Sequence, residues 1–186
     1  MREAETRDVD PAVLERARRG DRRAFALVVQ HYDPGLRALA YRILGDRERM
    51  DDALQEAYLH AFRALPRFRG DSALGTWLYR IAYNACLDEL KRVRNVVPLE
   101  SVSERSDPRP DASETVPLRR DLAAALASLS PYDRAAVLLV DAQGFDYGSA
   151  AQILGVPEGT VASRLNRARR ILRRYLDDNV QGASKR

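Results

Sequence analysis

GFDYGSAAQILGVPEGTVASRLNRARRILRRYL, residues 144–176, decides the fold class. Asp146 can cap a helix whose Ala150, Ala151, Ile153 and Leu154 form a compact apolar side, and Gly155 supplies the left-handed residue that ends it. Val156 and Pro157 turn the chain, and Pro157 is placed to open a second helix. There Val161, Leu165, Ala168 and Leu172 recur at helical spacing as a buried stripe, leaving Thr160, Ser163, Arg164, Arg167 and Arg170 on the opposite side. Short hydroxyls near a helix start with guanidinium groups behind them suit base edges and phosphates in a major groove. Ala151, Gly155 and Val161 stand where two steeply crossed helices need a close contact, a tight turn and a core anchor. The stretch therefore predicts a helix-turn-helix, with duplex DNA as the first partner to consider.

The whole chain of 186 residues is 45% hydrophobic, enough for one large or two small globular domains, and two fits the pattern better. A net charge of +4 is only mildly basic, so the case for nucleic acid rests on where the positive charge lies. It lies in clusters: Arg16, Arg18, Arg19, Arg22 and Arg23 near the start, Lys91, Arg92 and Arg94 near the middle, and the arginine helix near the end. The single cysteine, Cys86, cannot close an internal disulfide and falls in an apolar helical pattern, which predicts an inert core thiol in a reducing cytoplasm. No apolar run approaches membrane-spanning length, and the charged N-terminus is unlike a secretory signal. His31 and His60 lack partners at metal-ligand spacing, and there is neither a Gly-rich phosphate loop nor a nucleophile-base arrangement. The residues thus call for no catalytic site, metal or cofactor.

Elsewhere the chain reads as helix, with no strand-like alternation. Asp21 can cap a helix whose Phe25, Leu27, Val28 and Val29 face inward, with Pro34 and Gly35 breaking it before Leu36, Leu39, Ala40 and Ile43 begin another. A further helix to about Leu65 buries Met50, Ala53, Leu54, Ala57, Tyr58, Ala61 and Phe62 and turns Asp51, Asp52, Gln55, Glu56 and Arg63 outward. After a loop at 66–70, a long helix starting past Asp71 or Ser72 carries Leu74, Trp77, Leu78, Ile81, Ala85 and Leu90 inward. Trp77 is in phase with those residues, which favours packing over a stacking role. Between Asn95 and Leu118 prolines interleave with acidic residues, predicting a linker with too little apolar surface to fold alone. Beyond it come a helix around 122–129, one opened by Ser130 and Pro131 with Asp133 able to close a capping box, and the helix-turn-helix. The expectation is an all-α chain of two small domains, 1–94 and 119–186, joined by a flexible linker at 95–118.

Three motifs in order give this arrangement a family likeness. DDALQEAYLHAFRAL at 51–65 resembles the polymerase-binding helix of bacterial RNA polymerase sigma factors, FRGDSALGTWLYRIAYNACLDELKR at 68–92 their minus-ten segment, and GVPEGTVASRLNRARRILR at 155–173 their minus-thirty-five reader. The likeness is to the small extracytoplasmic-function group of the sigma-70 family and covers nearly the whole chain. It implies a non-enzymatic cytoplasmic protein that binds core RNA polymerase, directs it to a promoter and helps open the duplex. By the same resemblance, Asp52, Gln55 and Glu56 face the clamp of the large polymerase subunit. Phe68, Arg69, Gly70, Asp71, Ser72, Arg80, Asn84, Asp88, Lys91 and Arg92 match the segment that captures a flipped minus-ten base and its strand. Glu158, Gly159, Thr160, Ser163, Arg164, Arg167 and Arg170 match the minus-thirty-five surface. Leu74 and Gly75 stand where the family often has an aromatic and then a basic residue, and Ala162 where lysine or arginine is frequent. The resemblance leaves room for an anti-sigma partner and implies a monomer outside the holoenzyme. An autonomous helix-turn-helix regulator is the alternative, but it would normally dimerise to read two half-sites and would leave the polar helix around Gln55 unexplained.

Overall fold

The computed structural model describes residues 9–96 and 117–183. Among them are eight α-helices: α1 (Pro11–Arg18), α2 (Arg22–Leu44), α3 (Arg47–Ala64), α4 (Leu74–Val96), α5 (Pro117–Ala127), α6 (Pro131–Val137), α7 (Tyr147–Leu154) and α8 (Glu158–Ala183). Five of them start on a short polar side chain that accepts a backbone N–H of the first turn: Asp10, Asp21, Asp46, Ser130 and Asp146. A 3-10 turn, Leu65–Arg67, follows α3, and α6 runs on into a π-helical turn over Leu138–Ala142. The expected linker is shorter at both ends, since Asn95 and Val96 belong to α4 and Pro117 and Leu118 to α5. Its remainder, 97–116, lies outside the described residues.

The expected break at Pro34 does not occur: α2 is continuous through it. An interior proline costs a helix roughly 3 kcal/mol. Against that, Leu36, Leu39, Ala40 and Ile43 are buried in phase with Phe25, Val28 and Tyr32, and each large side chain taken from water contributes about 1.5–3 kcal/mol. Keeping the stripe continuous wins, and Pro34 sits on the solvent side. Leu27, expected inward, is 51% exposed because it lies off that stripe.

α4 departs from expectation more instructively. Leu74 and Leu78 are buried as predicted, yet Trp77, Ile81, Ala85 and Leu90 are only half-buried, while Tyr79, Ala82, Tyr83 and Cys86 are fully buried on an adjoining side. The first stripe packs on α2 and α3; the C-terminal half covers the second, with α7 lying along α4 and α6 against α2. One continuous apolar core results, running from Val28 and Leu54 to Leu139, Ile153 and Leu165. Cys86 within it has its thiol pushed up to about 12 by burial, consistent with an inert thiol.

At Gly35, α2 lies close against Tyr79 of α4. A Cβ there would overlap the Tyr79 hydroxyl and crowd Gln143. In most helix interiors Gly→Ala stabilises; here overpacking should dominate. Gly35→Ala is expected to lose about 1–3 kcal/mol. Adding Tyr79→Phe, which removes the obstructing oxygen, should recover part of that loss, and thermal melts of the single and double variants measure the coupling.

Candidate nucleic-acid interface

The helix-turn-helix forms as its sequence predicts. The Asp146 carboxylate accepts both the amide and the hydroxyl of Ser149 at 2.8 Å, fixing the start of α7. Those bonds hold the Asp146 carboxyl below the usual carboxylate range. Gly155 ends α7 in the left-handed region at φ 64°, where a side chain would be strained. Its N–H and that of Val156 both donate to the Ala151 carbonyl, closing the turn. In α8, Val161, Leu165 and Ala168 are fully buried and Leu172 half-buried. That phase leaves Glu158, Gly159, Ser163 and Arg170 exposed and Thr160 half-buried, with the Ser163 hydroxyl donating to the Thr160 carbonyl at 2.9 Å.

Two arginines of this face are already engaged. Arg167 grips the Asp133 carboxylate with Nε at 2.9 Å and Nη2 at 2.6 Å. Asp133 is buried, which pushes its carboxyl up, but Arg167 and the Ser130 hydroxyl outweigh burial and hold it below the ordinary range. The expected capping box is therefore half made: Ser130 Oγ accepts the Asp133 amide, while the Asp133 carboxylate turns to Arg167 instead of back to Ser130. Arg164, expected to point outward, is half-buried. Its guanidinium lies 5.3 Å from the centre of the Tyr132 ring and beside the Tyr83 hydroxyl of α4. Periodicity placed Arg164 opposite the buried stripe but could not anticipate a second helix arriving on that side.

The other expected surfaces are laid out in the N-terminal half. Arg80, Asn84 and Asp88 follow one another along α4 at four-residue spacing, all exposed. Lys91 pairs with Asp88 at 2.8 Å, and Arg92 with Glu89 at 3.0 Å and Glu56 at 3.6 Å. The loop before α4 exposes Arg69, Gly70 and Asp71, with Ser72 half-buried. Phe68 anchors that loop by packing 5.1 Å from Trp77, and Arg18 of α1 donates to the Phe68 carbonyl at 3.0 Å. Trp77 is thus a half-buried buttress. On α3, Asp52, Gln55 and Glu56 are exposed together beside an apolar groove of about 620 Å³ between α2 and α3. Phe25, Leu54, Tyr58, Leu59 and Phe62 line it, and Leu59 is 50% exposed. Arg37 of α2 crosses its rim to bond Asp33 at 3.0 Å and Asp51 at 2.6 Å. The groove was not evident from sequence, because Leu59 falls outside the apolar stripe of α3. Among the described residues, no group of three or more His, Cys, Asp or Glu side chains could hold a metal ion, and no helix is long and apolar enough to cross a membrane.

These surfaces fall within matched family segments. Residues 28–96 match Sigma-70 region 2 and residues 119–172 match Sigma-70 region 4. The chain is 42% identical over 159 residues to the ECF RNA polymerase sigma factor SigM of Mycobacterium tuberculosis, covering 84% of this chain and 79% of that one. It is 34% identical over 186 residues to the ECF RNA polymerase sigma-E factor of Escherichia coli K12, covering 92% and 94%. Among solved structures it resembles the sigma factor RpoE in complex with the anti-sigma factor NepR from Bartonella quintana. That match has 32% identity and a TM-score of 0.67, over 82% of this chain and 96% of the other. The chain belongs to the extracytoplasmic-function group of the sigma-70 family. Its function is that of a sigma factor, directing RNA polymerase to promoters.

The Asp133–Arg167 pair has a pH signature. A carboxyl whose folded pKa is depressed contributes stability above its unfolded value, near 3.8 here, and loses it as pH falls through the folded value. Asp133→Asn should therefore lower the melting temperature at neutral pH, by the equivalent of about 1–3 kcal/mol. The gap to wild type should close as pH drops below 4. Melts across an acid series measure it; a constant gap would mean that the carboxylate charge is not what binds Arg167.

Proposed function

We propose that this sigma factor divides its work among the three surfaces described above. Asp52, Gln55 and Glu56, with the neighbouring groove at Leu59, dock on the clamp of the large subunit of core RNA polymerase. Phe68, Arg69, Gly70, Asp71, Ser72, Arg80, Asn84, Asp88, Lys91 and Arg92 take the minus-ten strand. Glu158, Gly159, Thr160, Ser163, Arg164, Arg167 and Arg170 meet the minus-thirty-five duplex. The observation that carries this reading is the common exposure of Asp52, Gln55 and Glu56 on α3, on a different helix from the exposed row Arg80, Asn84 and Asp88 on α4. Two solvent-facing polar rows on separate helices suit two different partners.

In this reading residues 1–94 and 119–186 are the two binding units and 95–118 connects them. The protein is a binding factor without catalysis of its own, works in the cytoplasm and is monomeric outside the holoenzyme. The likeness to a sigma factor solved with NepR supports an anti-sigma partner as well.

Run-off transcription with purified core polymerase tests the assignment of function to the holoenzyme. Core with this protein should yield promoter-specific transcripts, and neither component alone should do so. Asp52→Arg with Glu56→Arg should weaken core binding at least tenfold while leaving the circular dichroism and melting curve near wild type. Among the described residues the substitution removes the ion pair of Glu56 with Arg92, which is exposed and contributes about 0–1 kcal/mol. Unchanged affinity for core would remove α3 from the polymerase surface.

A further inference from the structure

Five arginines near the start of the chain, Arg16, Arg18, Arg19, Arg22 and Arg23, belong to none of the three surfaces above. Arg16 bonds the Asp21 carboxylate at 3.0 and 2.6 Å, holding the residue that caps α2. Arg19 pairs with Glu15 one turn back at 3.2 Å, and Arg22 and Arg23 are exposed. Arg18 instead reaches away from its own helix. Its Nη2 donates to the Phe68 carbonyl, 50 residues on, at 3.0 Å in a part-buried contact.

Phe68 is the pivot of the loop that precedes α4. Its ring packs on Trp77, its N–H donates to the Leu65 carbonyl at 3.0 Å, and its own carbonyl accepts from Arg18. Arg69, Gly70, Asp71 and Ser72 follow directly. Gly70 is left-handed at φ 78°, and beyond its chain neighbours no atom lies within 4 Å of where a Cβ would stand. A loop tip standing clear in this way takes its position from its base. The support behind Arg18 is firm: Ala17 is 1% exposed, and the Arg16–Asp21 bonds tie the end of α1 to the start of α2. A cationic donor also holds a carbonyl more strongly than a neutral one.

We propose that Arg18 is a positioning residue for base capture: by fixing the Phe68 carbonyl it sets where Arg69, Gly70, Asp71 and Ser72 meet the unstacked minus-ten base. This rests on the reading of that loop as the base-capturing segment. Hydrogen bonds to a base edge weaken steeply with misalignment, so a loop displaced by about 1 Å keeps its hold on the strand but loses its preference among bases. Arg18 acts through the backbone of Phe68, unlike a cation that grips phosphate.

The test uses holoenzyme and fork-junction DNA, built on a promoter active in run-off transcription, with each base in turn at every minus-ten position. Wild type should favour the best base over the worst by about tenfold or more at the captured position. Arg18→Met, which removes the donor, should shrink that ratio to about threefold or less while core affinity and salt slope stay unchanged. Arg18→Lys, slightly shorter but still a cationic donor, should recover part of it. Trp77 is the single tryptophan, so acrylamide quenching of the free full chain should rise in Arg18→Met as Phe68 loosens. An unchanged ratio or unchanged quenching overturns the proposal. So does a salt slope lowered by about one, the mark of a lost phosphate contact. Asp71→Ala and Ser72→Ala check the reading beneath it. Where they lower the ratio and Arg18→Met does not, the proposal falls alone; where they leave it at wild type, the reading of the loop falls and the proposal with it. Should Arg18→Met fail to fold, Arg18→Gln, whose amide falls short of the Phe68 carbonyl, replaces it with the same expected losses.

Discussion

A buried cation on α6 is the constraint on which the arrangement of the two halves depends. Arg134 is 8% exposed, and burial depresses its guanidinium pKa. Removing such a charge from water costs several kcal/mol unless it is fully hydrogen-bonded. Here Nη1 and Nη2 donate to backbone carbonyls at the ends of helices, while Nε is buried with no partner among the described residues. Arg42 and Ile43 lie in the last turn of α2, whose carbonyls have no partner within the helix and carry the negative end of its dipole. Ala127 and Leu129 offer the equivalent groups where α5 gives way to α6. A planar fork of five donors can serve both sets at once, whereas a lysine ammonium could not.

With α6 fixed against α2 in this way, α7 is carried onto α4, and α4 becomes a helix with three working sides. One packs on α2 and α3 through Leu74 and Leu78. A second presents Tyr79, Ala82, Tyr83 and Cys86 to the C-terminal half. Only the third, Arg80, Asn84 and Asp88, stays in solvent. The tyrosines suit a boundary between two modules, since each combines a large apolar ring with one polar atom that finds a partner across it. Gly35 completes the fit by leaving room for the Tyr79 hydroxyl against α2.

For the DNA surface proposed on α8 the consequence is that two of its arginines also take part in the fold. Arg167 organises Asp133 and Arg164 sits among tyrosines, so on the proposed reading each has an intramolecular partner that DNA replaces. Arg170 is exposed, and the exposed Ser163 bonds the Thr160 carbonyl one turn back in its own helix. Arginine is well suited to such alternation, because its fork satisfies a carboxylate, a phosphate or a guanine edge with the same geometry.

By itself the sequence determined the local elements and their chemistry. Caps at Asp21, Ser130 and Asp146, the turn at Gly155 and the stripe Val161, Leu165 and Ala168 depend on backbone groups and neighbours a few residues away, so periodicity and residue type suffice to find them. The exposed row Asp52, Gln55 and Glu56 was legible for the same reason. Tertiary structure decided whatever depended on a distant surface. Pro34 was kept inside α2 by the core on either side of it. Tyr79 and Tyr83 became core residues, and Arg164 half-buried, only because another half of the chain came to lie against them. Nothing local singles out Arg134, whose burial depends on the carbonyls of α2 being brought to it. A pattern of 3.6 residues marks one buried side of a helix; a second buried side exists only when the modules dock.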